Sequence, residues 1–163
     1  MTHERLTILP ATIPGDLDAC AEIYAAGQRE IFPGQPGSWT RDRFAEATAG
    51  EEISVAVADD AGGRAVVGFL SLWRPDAFVH FLHVRADHRR RGVGRALLRS
   101  ALATLDAPAE LKCALENRAA LAFYTRLGWV ETGREVTGPE PFVRLRSPPA
   151  TAATPPPPYR NWR

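Results

Sequence analysis

The sequence predicts a single α/β (α+β) domain whose elements run β-α-α-β-β-β-α-β-α-β-β. Short apolar runs of strand composition alternate with segments of helical periodicity. Clusters of proline and glycine punctuate most of the junctions between them. One junction differs: Arg89-Arg90-Arg91-Gly92-Val93-Gly94-Arg95 links an apolar strand to an amphipathic helix.

Arg5 to Ala11 carries Leu6, Ile8 and Leu9 among β-tolerant residues, and Pro10 and Pro14 end it. Asp16 is placed to cap a helix from Leu17 to about Arg29, with Leu17, Cys20, Ile23 and Tyr24 as its apolar stripe. Ile31 to Trp39 holds two prolines and two glycines and reads as a loop, after which Thr40 caps a short helix from Arg41 to Ala49. Ile53 to Ala58 and Ala65 to Trp73 form a hairpin around Asp59-Asp60-Ala61-Gly62-Gly63. Arg74-Pro75-Asp76 then turns the chain into the central strand, Phe78 to Val84, which leads through Arg85-Ala86-Asp87-His88 to the arginine and glycine turn.

The helix after that turn runs from Val93 to Leu105 and stops at Asp106-Ala107-Pro108, and Glu110 to Leu115 resumes as a strand. Asn117 caps the next helix, with Ala120, Phe123, Tyr124 and Leu127 on one side and Gly128 as its C-terminal signal. Trp129 to Val136 and Phe142 to Arg146 complete the sheet around Thr137-Gly138-Pro139. Residues 147–163 hold six of the chain's 14 prolines, too little apolar material to repay ordering. The expected organisation is a domain over residues 1–146 and a flexible proline-rich tail, whose Tyr159 and Trp162 leave a docking role open.

The chain has 163 residues, 45% hydrophobic and 24% charged, enough for one core. Without the tail's Arg160 and Arg163 the net charge of +1 becomes −1, which gives no general pull toward nucleic acid or a membrane surface. No apolar run reaches the roughly 18 residues of a membrane span, and Met1-Thr2-His3-Glu4-Arg5 does not open a secretory signal. A cytoplasmic location is expected. Cys20 and Cys113 show no metal-ligand spacing and read as buried packing residues.

Basic character is local, with Arg85, Arg89, Arg90, Arg91, Arg95 and Arg99 all in the central stretch. An arginine cluster alone is usually a solvated face. Here glycines open a helix, and the first helical N–H groups have no intrahelical partner, so the turn suits phosphate oxygens. The Walker and dinucleotide-binding glycine patterns are absent. The pattern present is R-x-x-G-x-G, with Val84 five residues before Arg89. Downstream lies Asn117-Arg118-Ala119-Ala120-Leu121-Ala122-Phe123-Tyr124-Thr125-Arg126-Leu127-Gly128-Trp129. Together, and in this order, the two segments resemble the acyl-CoA loop and the N-x-x-A-x-x-F-Y-x-x-x-G-[FW] motif of the GCN5-related N-acetyltransferases (GNAT). The resemblance covers roughly Arg5 to Arg146.

That resemblance implies a central, mixed but mostly antiparallel sheet of six to seven strands with about four helices on its two faces. It implies acetyl-CoA as cofactor, its pantetheine paired with the main chain of Leu82, His83 and Val84. Its pyrophosphate would lie on the loop formed by Arg89, Arg90, Arg91, Gly92, Val93, Gly94 and Arg95. Asn117 would contact the cofactor arm, and Tyr124 would be the general acid, against its plain reading as a core aromatic. Strand alternation sets His80 with Leu82 and Val84, and His83 on the other face with Val79 and Phe81. A histidine is suited to take a proton near neutral pH, so His80 is the candidate base or water-relay member. His83 is the weaker candidate and Glu30 the carboxylate alternative. The segment between the first two helices is where the family's acceptors usually bind, so Phe32 and Trp39 either wall an acceptor pocket or cover the core. Trp73 and Phe78 join them as substrate candidates.

The expected function is acetyl transfer from acetyl-CoA to the primary amine of a small, partly apolar molecule, by direct attack in a ternary complex. A protein N-terminus or lysine is the alternative acceptor. A non-catalytic CoA-binding sensor, with the tail for docking, is the alternative of another class. Binding of nucleic acid through the arginines would require a salt-dependent affinity that acetyl-CoA does not compete away. The acceptor and the choice between monomer and homodimer stay open.

Overall fold

A computed structural model describes residues 4–12, 14–34 and 39–149. The elements are β1 (Arg5–Pro10), α1 (Leu17–Ile31), α2 (Arg41–Ala47), β2 (Glu52–Asp60), β3 (Gly63–Trp73), β4 (Phe78–Val84), α3 (Val93–Leu102), β5 (Glu110–Ala114), α4 (Arg118–Arg126), β6 (Val130–Glu135) and β7 (Phe142–Arg146). They form one seven-stranded sheet in the order β1-β2-β3-β4-β5-β7-β6. Every neighbouring pair is antiparallel except β4 and β5.

Helices cover both faces because strand residues bury alternately on each side. On one face Val67, Leu70, Leu72, Val79 and Leu111 pack with Val93, Leu97 and Leu98 of α3 and Tyr124 of α4. On the other, Val55, Val57 and Phe69 pack with Leu17, Cys20, Ile23 and Tyr24 of α1 and Phe44 of α2. Gly68 lets α3 approach, since a Cβ there would lie 3.1 Å from both the His83 carbonyl and a Val93 methyl.

Two of the expected helix caps form. The Thr40 Oγ1 accepts from the Arg43 N–H at 3.3 Å, and the Asn117 Oδ1 from the Ala120 N–H at 3.2 Å. Gly128 follows α4 at φ +82°, as a C-terminal glycine should. Asp16 corrects the expectation: its carboxylate does not cap α1. It is buried, accepting from the Thr12 N–H at 2.8 Å and from Arg64 at 3.3 Å. Burial pushes its carboxyl upward, but these two donors outweigh that and hold it below its ordinary range.

The ordered chain runs slightly past the expected boundary. Ser147 is buried, its N–H bonding to the Ala109 carbonyl and its hydroxyl accepting the Ala109 N–H at 2.9 Å. The tail from residue 150 onward lies outside the described residues. Among the described residues no helix is long and apolar enough to cross a membrane.

β4 is not a regular strand. Its pairing with β3 steps from Ser71↔Phe81 to Leu72↔Val79 and leaves His80 without a partner, a β-bulge. The alternation read from sequence therefore fails before Phe81. Val79 packs in the core on the face of Leu82 and Val84, while Phe81 joins the α1 and α2 side with His83. The His80 ring stacks on Phe81 at 4.2 Å instead of following Leu82.

Candidate active site

β4 and β5 pair only at Phe78↔Glu110 and Val79↔Leu111, and then separate. β5 stays bound to β7 along its whole length. From His80 onward the β5 side of β4 thus has no strand partner among the described residues. Arg85 donates its N–H to the Val67 carbonyl of β3, so the two-residue period turns the main chain of Leu82 and Val84 toward the opening. Backbone groups inside a protein need partners, and this edge offers donors and acceptors to an extended, amide-bearing ligand. A cavity of about 170 Å³ fills the gap, with His80, Lys112, Cys113, Asn117 and Tyr124 in its wall.

Beyond the strand, Arg90 and Gly92 adopt left-handed backbone at φ +64° and φ +80°. Such residues bend the chain so that successive N–H groups converge, a geometry suited to phosphate. Gly92 caps α3, and a Cβ added there would meet no protein atom within 4 Å, so the space over the helix terminus is open. At Gly94 a Cβ would lie 3.4 Å from Phe123 and 3.7 Å from Val84, so this glycine faces packed side chains.

The loop's arginines divide into two pairs. Arg89 is tied at 2.5 Å to Glu30 of α1 and donates to the Val84 carbonyl at 3.2 Å. Arg91 is tied at 3.0 Å to Glu4, which also holds His88 at 2.7 Å. Arg90 and Arg95 have no ion pair among the described residues and are left to meet an anion. Val93 faces the core, and its contribution to the loop is its main chain.

His80 opens on the cavity, and its Nδ1 lies 2.6 Å from Oε1 of Glu51. The Glu51 side chain is only 8% exposed, and the fully buried Ser71 hydroxyl donates to its other oxygen. A carboxylate on Nδ1 fixes the proton there and leaves Nε2 as the acceptor. Sequence reasoning missed Glu51 and Ser71 because the fold brings Glu51 to His80 over 29 residues and Ser71 to Glu51 over 20.

Tyr124 lines the same cavity beside Cys113. Burial, reinforced by the Cys113 thiol, raises its hydroxyl above the ordinary range, so it carries its proton at neutral pH. Burial alone pushes the Cys113 thiol up to about 11. His83 lies under α1, ringed by Tyr24 and Phe69, with Gly27 directly above it. Burial first, and the Arg89 charge second, lower its pKa to about 4 and keep it neutral.

The expected acceptor residues do not gather in one place. Phe32 lines the β4–β5 cavity. Trp39 packs edge-on against Tyr24 at 4.5 Å with Arg43 over its ring, within the α1 and α2 cluster. Trp73 is 38% exposed and lies over Gly50. Phe78 lines a separate open cavity near the start of β5. Glu30 faces the loop through Arg89.

Separated central strands, a left-handed glycine before α3 and a tyrosine in the gap occupy the positions at which the sequence motifs lie. A model of the acetyltransferase (GNAT) family matches residues 19–129. This chain belongs to the GNAT family. No curated protein matches its sequence significantly.

Solved structures show how widely this GNAT fold is shared. The apo form of YjaB from Escherichia coli superposes with a TM-score of 0.68 at 21% identity, covering 90% of this chain and 99% of that one. A GCN5-related N-acetyltransferase from Rhodopseudomonas palustris gives 0.67 at 21% identity, covering 90% and 98%. NAA60 of Arabidopsis thaliana, solved with a bisubstrate analogue, gives 0.62 at 18% identity, covering 88% and 98%. The fold and the N-acetyltransferase class read from the sequence both stand.

Proposed function

We propose that this GNAT acetyltransferase uses acetyl-CoA to acetylate the primary amine of a small molecule, with His80 as base and Tyr124 as acid. The observation that carries this reading is one cavity bearing both a histidine held by a carboxylate and a buried, protonated tyrosine. The fit to acetyl-CoA rests on two features. The main chain of Leu82 and Val84 turns toward the edge that has no strand partner, whereas that of His83 faces β3, and Gly92 at the start of α3 opens on free space beside Arg90 and Arg95. Asn117 stands in the cavity wall between these regions.

When bound, acetyl-CoA supplies an acetyl group activated as a thioester. The chain's own residues hold and move protons around it. An amine nucleophile must lose its proton, and Nε2 of His80 is the acceptor available, with Glu51 stabilising the imidazolium that forms. The Tyr124 hydroxyl, protonated at neutral pH, is the hydrogen-bond and proton donor available to the negative charge that develops on the leaving sulfur, while the amine's proton goes to His80. The main chain around Leu82 to Val84 supplies fixed dipoles in a site partly shielded from water, where such groups act most strongly.

Glu30 is the weaker base because it is already tied to Arg89, and His83, although it also lines the cavity, packs its ring against Gly27 of α1 with its pKa lowered to about 4 by burial. The test is release of CoA from acetyl-CoA with a panel of primary amines. Turnover that falls steeply in both His80→Gln and Tyr124→Phe supports the reading. Turnover indifferent to both substitutions would sink it.

A further inference from the structure

The faces of β5 and β7 turned away from α3 and α4 carry Glu110, Lys112, Arg144 and Arg146, while Leu111, Cys113, Val143 and Leu145 fill the core behind them. Residues directly opposite on antiparallel strands share a face, with Cβ atoms about 5 Å apart, and opposite charges there are favourable. The pair Glu110↔Arg146 obeys this, with an ion pair at 2.6 Å. Its neighbour Lys112↔Arg144 does not, because two cations face each other.

Neither cation has an ion pair among the described residues. The Lys112 ammonium rests 4.7 Å from the Phe142 ring centroid, a cation–π contact that leaves its charge uncompensated. Across β6 the residue opposite Arg144 is Gly133, where an added Cβ would only just reach Arg144 Cδ at 4.0 Å, so no β6 side chain stands opposite the guanidinium. The two cations also bridge two spaces. Lys112 lines the β4–β5 cavity that holds His80 and Tyr124. Arg144 lines the adjoining open cavity of about 540 Å³, with Phe78, Pro108 and Asp76.

A like-charge pair held open at the edge of a catalytic cavity is costly unless an anion joins it. We infer that the acceptor is an amine that also carries a carboxylate, of the amino-acid class. Its carboxylate seats between Lys112 and Arg144 and its amine reaches toward His80. The anion lies at the Lys112 end, because Asp76 stands in the wall of the larger cavity and Arg146 there is already paired with Glu110. Phe78 gives an apolar side chain of the acceptor a surface. This inference rests on the acetyltransferase reading above.

The test compares the standard amino acids with their primary amides as acceptors, with acetyl-CoA titration as a separate control. At least one amino acid should be acetylated well ahead of its amide. Arg144→Gln and Lys112→Gln should each raise KM for that acid about 10- to 100-fold, the range expected for losing a charge-assisted hydrogen bond. For Arg144→Gln, which lies outside the wall of the β4–β5 cavity, KM for the amide and the affinity for acetyl-CoA should stay within about twofold. Amides that serve as well as acids, an Arg144→Gln variant that shifts both alike, or no acid acetylated by a protein that binds acetyl-CoA would each overturn the carboxylate site.

A second arm needs no cofactor. At low salt, Arg144→Gln should raise the thermal midpoint of the ligand-free protein by relieving the repulsion. N-acetylmethionine at millimolar concentration should raise the wild-type midpoint, while its amide does not. A wild-type midpoint indifferent to N-acetylmethionine, with no gain from Arg144→Gln, overturns the site. Failure of the wild type to bind acetyl-CoA would instead overturn the acetyltransferase reading, and this second arm would then decide the anion site alone.

Discussion

Oε1 of Glu51 lies 2.6 Å from Nδ1 of His80, and the Ser71 hydroxyl holds the other oxygen of the same carboxylate. The bulge that leaves His80 unpaired with β3 delivers its ring to that carboxylate. His80→Gln should lower kcat about 10²- to 10⁴-fold, the usual contribution of a positioned general base. Glu51→Gln, which keeps the imidazole but removes the charge that orients it, should cost about 10- to 100-fold in kcat with little change in KM for acetyl-CoA. Steady-state kinetics across pH check both.

Tyr124→Phe separates the hydroxyl from the ring. The ring packs among Phe123 and Trp129, so the variant should fold with nearly wild-type stability. With its proton donor gone, kcat should fall about 10²-fold or more while acetyl-CoA still binds. Equal kcat in variant and wild type would reduce Tyr124 to a core aromatic.

Gly27→Ala puts two effects in opposition. Alanine favours the helix by about 1 kcal/mol, but its Cβ would lie 2.7 Å from Nδ1 of His83, an imidazole enclosed by Tyr24 and Phe69. Because the ring is held on several sides, overpacking should win, for a net loss of about 1–2 kcal/mol in denaturant unfolding. His83→Ala in the same background should restore part of the loss.

His83 also makes stability depend on pH. Burial lowers its pKa from 6.5 to about 4, so the unfolded chain takes up a proton that the folded one resists. Its contribution is complete above 6.5 and is lost as pH falls toward about 4, amounting to at most about 3 kcal/mol. His83→Leu should flatten the unfolding free energy across that window.

The element order was legible in the sequence because local signals agree with the fold. Asn117 and Thr40 cap where they are expected to, and Phe78–Val84 and Phe142–Arg146 have the bounds that composition suggested. What was not legible is non-local. Asp16 looks like a cap, but its carboxylate is claimed by Arg64, 48 residues away. His80 falls on the wrong face by simple alternation because a bulge is a choice of backbone pairing that side-chain pattern does not record. The loop's arginines look equivalent, yet Glu30 and Glu4 take two of them from 59 and 87 residues away. The motifs pointed to Gly92 and Tyr124 as candidates, but the carboxylate behind His80 needed three strands to be assembled first.

The central claim is that acetyl-CoA is held between the open edge of β4 and the turn at Gly92. It is tested most directly by calorimetric titration of acetyl-CoA into the wild type and into Gly92→Trp, with folding of the variant checked by circular dichroism. A Cβ at Gly92 meets no protein atom within 4 Å, so the indole would fill the space offered to phosphate and not the core. The account predicts binding to the wild type and its loss in a folded Gly92→Trp variant. No binding to the wild type, or equal binding to both, would contradict it.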